Sequence, residues 1–280
     1  MWQPYNALFP QNTVVGDLYI QKDVFSPQLN NRRDVLVWVP SSYHTSERRY
    51  PVIYMHDGLN LFDANTSYSG EWQVDEAITA LAADGLEAVV VGLPNMGDER
   101  FHEYNPYPTA RVEGRGAAYI AFITDTIKPM IDADYRTLPD AAHTGIAGSS
   151  MGGLISLFGF LSRQDVFGLC GSFSPVFWLG DGEGGLYQTI ADAATGQGRV
   201  YLDIGTQEGA VLTGLPPERS KPTETPHDTY TLGVRKLGED LLARGYVAGQ
   251  TLLYVEEEGA LHNEAAWARR LPEALRFLLK

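Results

Sequence analysis

The chain has 280 residues, 44% of them hydrophobic, enough to bury a sizeable core in one large α/β unit or two small ones. Its 35 acidic against 21 basic residues leave a net charge of −14, which repels phosphate backbones and anionic lipid, so neither nucleic acid nor a membrane is an expected partner. A single cysteine, Cys170, excludes an intrachain disulfide and a cysteine-based zinc cluster, and its apolar setting from Phe167 to Gly171 reads as core.

Met1 to Tyr5 has neither the basic start nor the apolar stretch of a leader peptide, and no apolar run reaches membrane-spanning length, so the expected location is cytoplasmic. Thr13 to Phe25 and Asp34 to Pro40 alternate apolar and polar positions, with Asn30-Asn31 as the turn, and predict antiparallel strands. Pro51 to Gly58 is a short continuous apolar run, as expected of a buried parallel strand. Helical spacing from Trp72 to Asp84 stops at Gly85, and Glu87 to Asn95 is the next buried strand. A polar and aromatic loop from Met96 to about Arg111 follows, then an amphipathic helix from Gly116 to Asp132. Further buried strands are predicted before Ser150, at Leu169–Phe173, Val200–Gly205 and Thr251–Val255, with helices at about Thr229–Arg244 and Glu264–Leu279. Strands alternating with helices after an antiparallel start argue a mostly parallel sheet covered on both faces, in one domain spanning residues 1–280. Ala210 to Asp228 carries four prolines and no periodicity, and is either a loop over the site or a disordered excursion.

The stretch Thr144 to Gly153 organises the rest. A small apolar run enters Gly148-Ser149-Ser150-Met151-Gly152, a Gly-x-Ser-x-Gly, and Leu154 to Phe158 continues as a helix. Such a strand, tight turn and helix lifts the middle serine off the end of a sheet in a strained backbone, with both glycines letting helix and strand pack closely. Ser150 is therefore read as an acyl-accepting nucleophile.

A serine hydroxyl needs a base within hydrogen-bond reach, and in this arrangement the chain order is serine, acid, histidine. Only His227 and His262 follow Ser150. His227 has no strand before it, whereas His262 follows a strand and a turn and directly precedes the last helix, so His262 is the expected base. The acid should leave the preceding strand, which puts Glu208 first, Asp203 within the strand as its rival, and Asp228 third. Its task is to accept the imidazole Nδ1–H and fix the tautomer. The backbone N–H of Met151 and that of Leu59 or Asn60 are the candidate donors to a developing oxyanion. His56 and Asp57 are read as shaping the Leu59 loop by hydrogen bonding. Phe177-Trp178 and Tyr104 to Tyr107 are read as either a substrate-facing wall or ordinary packing, and Arg100 and Arg111 as solvated.

Tyr54 to Asp63, Glu103 to Pro106, Tyr135-Arg136-Thr137, Gly148 to Gly153 and Leu261 to Glu264 with Trp267 together resemble the putative esterase family of α/β hydrolases, which includes enterobactin, feruloyl and acetyl-xylan esterases, S-formylglutathione hydrolases and mycolyltransferases. The resemblance runs in order from about residue 35 to the C-terminus. It implies an α/β-hydrolase fold and a two-step acyl transfer to water through a serine ester, without metal or cofactor, on a small-molecule or carbohydrate-linked ester. Ser150 and His262 carry over directly. Gly205-Thr206-Gln207-Glu208 matches a Gly-Thr-x-Asp of the feruloyl esterases with Glu for Asp, and Ser149 stands where the S-formylglutathione hydrolases have histidine. An acyltransferase using the same three groups, or a non-catalytic binding domain, are the alternative readings.

Overall fold

Runs of β-branched and small apolar residues with no charge among them cannot be half-exposed, and here they become the central strands of one nine-stranded sheet. The computed structural model describes residues 1–109, 112–179, 185–194, 196–209 and 226–280. In chain order the strands are β1 (Gln3–Pro4), β2 (Asp17–Ser26), β3 (Asn31–Val39), β4 (Val52–His56), β5 (Val89–Leu93), β6 (Thr144–Ser149), β7 (Leu169–Phe173), β8 (Arg199–Gly205) and β9 (Leu252–Glu257). Their spatial order is β1-β2-β3-β5-β4-β6-β7-β8-β9. Pairing is antiparallel from β1 through β3 to β5, and parallel from β5 across to β9. With helices on both faces, this is the α/β-hydrolase fold.

Side chains alternate between the two faces, and each face owns a core. Val35, Val37, Val39, Val52, Tyr54, Val91 and Ile146 point into one cluster, closed by Ile120, Phe122, Leu154, Phe160, Val234 and Leu237. Leu36, Trp38, Ile53, Met55, Val90 and Ala147 point into the other, closed by Ile78, Leu81, Trp267, Leu271 and Leu275. This explains a departure from expectation. Val35 to Val39 are all buried rather than alternately exposed, because β3 sits between β2 and β5 and both its faces are covered.

Other elements follow the sequence with small shifts. The helix from Gly116 continues to Asp134, but Ile123–Ile127 is wound as a π turn. Pro129, just beyond it, has no N–H to continue the regular ladder. Helices at Tyr5–Leu8 and Leu186–Asp192, and strand β1, were not expected; all are short. The helix expected from Thr229 begins at Pro226, and residues 210–225, where a loop over the site was expected, lie outside the described residues.

The chain runs from β4 outward to β5, then crosses back over β4 to β6. That reversal opens a crevice beyond the carboxyl ends of β4 and β6, the place where open α/β sheets hold ligands. His56 ends one of these strands and Ser149 the other.

Candidate active site

β6 stops at Ser149 and the helix Met151–Ser162 starts one residue past Ser150, so a single residue turns the chain. Ser150 does so at φ 58° and ψ −119°, a conformation that a residue with a Cβ adopts only under strain. The surroundings hold it there. Its N–H donates to the Phe173 carbonyl at 2.9 Å, and its own carbonyl accepts from Leu154 and Val176 N–H, each at 3.1 Å. The Met151 N–H stands at the first position of the helix, where no intrahelical carbonyl faces it.

The two glycines of the motif are not equivalent. A Cβ on Gly148 would sit 2.8 Å from His56 Cδ2 and 2.9 Å from the Gly152 carbonyl carbon. One on Gly152 would meet nothing nearer than His56 Cβ at 3.4 Å, whereas Gly153 would press on the Phe173 carbonyl oxygen at 2.8 Å. Close strand–helix approach therefore needs Gly148 and Gly153, not the Gly148–Gly152 pair expected from the motif. Gly148→Ala should cost about 1–3 kcal/mol by overpacking, while Gly152→Ala stays within about 1 kcal/mol of the parent. Urea unfolding of the two variants side by side checks this.

His262 lies between β9 and the last helix, directly before the Asn263 cap whose side chain accepts from Ala266 N–H at 2.9 Å. Its Nδ1 is 2.7 Å from Glu208 Oε2. A carboxylate only accepts, so Nδ1 carries the proton and, in the neutral ring, Nε2 keeps the lone pair. The ring is held between Tyr230, at 5.8 Å centroid to centroid, and Trp267, edge-on at 5.0 Å. The loops bearing acid and imidazole are laced together by Thr206 N–H to Glu257 O at 3.0 Å and Gln207 N–H to Ala260 O at 3.0 Å.

Glu208 is fully buried at the side chain, and its second oxygen is also satisfied. Oε1 accepts from Gly205 N–H at 2.7 Å and from Ser174 Oγ at 2.8 Å. Gly205 has to be glycine for this, since a Cβ would lie 2.7 Å from that oxygen and 2.5 Å from Ala260 O. Ser174 Oγ in turn accepts from Trp267 Nε1 and from Arg270 Nη2, both at 3.0 Å. Asp203, the rival acid, is engaged elsewhere. Its Oδ1 accepts from Ser174 N–H at 2.9 Å, and its Oδ2 from Tyr201 OH at 3.0 Å, with Arg270 Nε 2.8 Å away. Burial pushes its carboxyl up to about 7 despite that guanidinium. Asp228, the third candidate, lies where no side chain is described.

Across the crevice, His56 is buried and donates to or accepts from Tyr119 OH at 2.9 Å through Nδ1; burial lowers its pKa to about 3, so it is uncharged. Asp57 takes the left-handed conformation, φ 55° and ψ 46°, at the start of the turn Gly58–Asn60. Burial alone would raise its carboxyl, but Arg100 outweighs that and holds it below the usual range. Arg100 grips it with two bonds, Nε to Oδ1 at 2.7 Å and Nη2 to Oδ2 at 2.8 Å. The reading of Arg100 as solvated is thus wrong: it reaches back 43 residues to fix the loop. Arg111 lies outside the described residues. Asn60 N–H is spent on Asp57 O at 2.8 Å, which leaves Leu59 as the better placed of the two loop donors.

These groups converge. A cavity of about 670 Å³ is lined by His56, Asp57, Leu59, Ser150, His262 and Trp267, with Trp72, Tyr68 and Glu264 among the other walls. Of the two readings of the expected aromatics, ordinary packing is the one observed: Tyr104 and Tyr107 are buried, and Phe177 and Trp178 pack on Tyr230. Trp72, Tyr68 and Trp267 supply the aromatic surface instead. Trp72 was hidden in the sequence because it reads as the first position of an amphipathic helix.

The family profile described as "Putative esterase" matches residues 26–278. The uncharacterized protein YbbA of Bacillus subtilis is 28% identical over 256 residues, covering 89% of this chain and 92% of that one. An endo-1,4-beta-xylanase/feruloyl esterase of Xylanibacter ruminicola is 25% identical over 255 residues, 87% of this chain and 29% of that protein. Among solved structures, the ferric enterobactin esterase of Salmonella typhimurium superposes with a TM-score of 0.70 at 18% identity, over 95% of this chain and 59% of that chain. No described helix is long and apolar enough to cross a membrane.

Proposed function

The chain belongs to the putative esterase family and is a hydrolase of carboxylic esters, and on that premise we propose that it works through an acyl ester of Ser150. Ser150 Oγ attacks the ester carbonyl carbon while His262 Nε2 takes its proton. The tetrahedral oxyanion collapses, the bond to the alcohol breaks, and the same imidazolium returns the proton to the leaving oxygen. Water then repeats the sequence on the acyl-enzyme and releases the acid. Glu208 holds the Nδ1–H tautomer and stabilises the imidazolium, and the Met151 and Leu59 N–H groups receive the oxyanion. The observation carrying this reading is the 2.7 Å contact between His262 Nδ1 and buried Glu208, in a ring that lines one cavity with Ser150.

The cavity suits a small-molecule ester, since about 670 Å³ falls within the range of sites that enclose such ligands. Relatives named for feruloyl and enterobactin esters favour an aryl-bearing substrate, which Trp72 and Trp267 would stack against.

A fluorophosphonate should label one serine, and peptide mapping should find the tag on Ser150; a tag on another residue removes the nucleophile assignment. Glu208→Gln should lower kcat by about 10²–10⁴-fold with little change in KM, because the amide can donate to Nδ1 and favour the wrong tautomer. A larger loss in Asp203→Asn would reassign the acid.

A further inference from the structure

We propose that Glu71, Asp75 and Glu76 form a binding site for one hard divalent cation of the calcium class. Each offers a carboxylate oxygen, and the three oxygens lie within 4.8 Å of one another. That is about twice a Ca²⁺–oxygen distance of roughly 2.4 Å, so one ion can touch all three, with water completing its six to eight ligands.

Independent of their proximity, one oxygen of each has no donor, although Asp75 and Glu76 are in hydrogen-bond contact with each other and Glu71 with Thr13. Asp75 is 0% exposed and its Oδ1 is buried with no hydrogen bond, and Glu71 Oε1 and Glu76 Oε2 are buried and unpartnered too. Among the described residues, no lysine, arginine or histidine forms an ion pair with any of the three. Buried acceptors left in this state are costly and call for a counter-charge.

The position gives the ion a structural task. Asp75 Oδ2 accepts from Val15 N–H at 2.6 Å, tying the N-terminal segment to the helix Val74–Leu81. The segment between β4 and that helix contributes Leu59, Asn60, Thr66, Tyr68 and Trp72 to the cavity wall. A cation here clamps the end of that wall without entering the proposed chemistry at Ser150, so the two readings stand or fall separately.

The test is thermal unfolding of full-length protein stripped with EDTA and exchanged into metal-free buffer at pH 7.5. Adding 1 mM CaCl₂ should raise Tm by about 5 °C, with MgCl₂ and MnCl₂ compared at the same concentration and NaCl matching ionic strength. Calorimetric titration with CaCl₂ should give one site per chain. Asp75→Asn and, at the partly exposed position, Glu71→Gln should each abolish the Tm response. The proposal is overturned if none of the three ions moves Tm, or if both variants respond as the parent does. A Tm that ignores the ions yet rises in Asp75→Asn also overturns it, and marks carboxyls that share a proton instead.

Discussion

Ser150→Ala should lower kcat/KM on a short-chain aryl ester by a factor of about 10³ or more, with the fold intact. Alanine keeps the Cβ, the φ of 58° and every backbone bond that Ser150 makes, so Tm should hardly move. What disappears is the oxygen on which the acyl group is proposed to rest. A loss of about 10³ corresponds to about 4 kcal/mol of transition-state stabilisation, and the residue of activity would come from donors and walls that remain. His262→Ala should fall as far. Because the two act on one proton transfer, the double variant should be about as slow as either single one rather than slower by the product. Steady-state kinetics on the three proteins, each first checked by circular dichroism, decides the matter. Near-parental activity in Ser150→Ala, or losses that multiply in the double variant, would remove the mechanism.

The largest effect on stability is expected away from the nucleophile. Arg270 is 4% exposed and places its guanidinium against two buried carboxylates, with Nε 2.8 Å from Asp203 Oδ2 and Nη2 3.5 Å from Glu208 Oε1. A third carboxylate, Glu257, lies 3.2 Å from Nη1 and is partly exposed. Arg270→Leu fills much of the volume but leaves two buried acids without their cation, and should destabilise by about 3–5 kcal/mol in urea unfolding at neutral pH. The pH dependence gives a check on the cause. Burial already holds the Asp203 carboxyl up at about 7, against about 4 unfolded, so its protonated form is the one the fold prefers. Stability from this group is full below the unfolded value and is lost as pH rises through the folded one. Without Arg270 the ionised form is worse still, so the deficit of the variant should be larger at pH 8 than at pH 5. A deficit that does not change with pH would mean lost packing, not stranded charge.

The difference between these two sites also explains what could be read from the sequence. Ser150 was legible because its turn is local: a small apolar strand, two glycines and a helix occur within ten residues. His262 and Glu208 were legible because each leaves the end of a recognisable strand in an order the fold imposes. Arg270 and Ser174 were not, since they matter only once residues up to 96 apart in sequence meet. A faint signal did exist. Trp267, Arg270, Leu271, Ala274, Leu275 and Leu278 share the buried stripe of the last helix, and an arginine in such a stripe implies a buried acid nearby. The Asp57–Arg100 pair is similar, its partners being 43 residues apart and Arg100 lying in the stretch after β5 that has no period to betray which face turns inward. Gly152 misled for another reason: the motif states where glycines occur, while steric need depends on what the neighbouring strand places opposite them.

One further consequence belongs to β9, the last strand of the sheet on the side of the proposed base. Among the described residues its only strand partner is β8, and apart from the bridge between Ala248 and Leu252 at its start the other side is left as a template on which an extended peptide could dock. Along it stand Glu256 and Glu257, tethered by Arg235 and Arg269 at 2.8 Å each. A strand adding to this rim would have to displace those paired side chains. The ion pairs that border the His262 loop thereby act as a guard against edge-to-edge pairing of one chain with another.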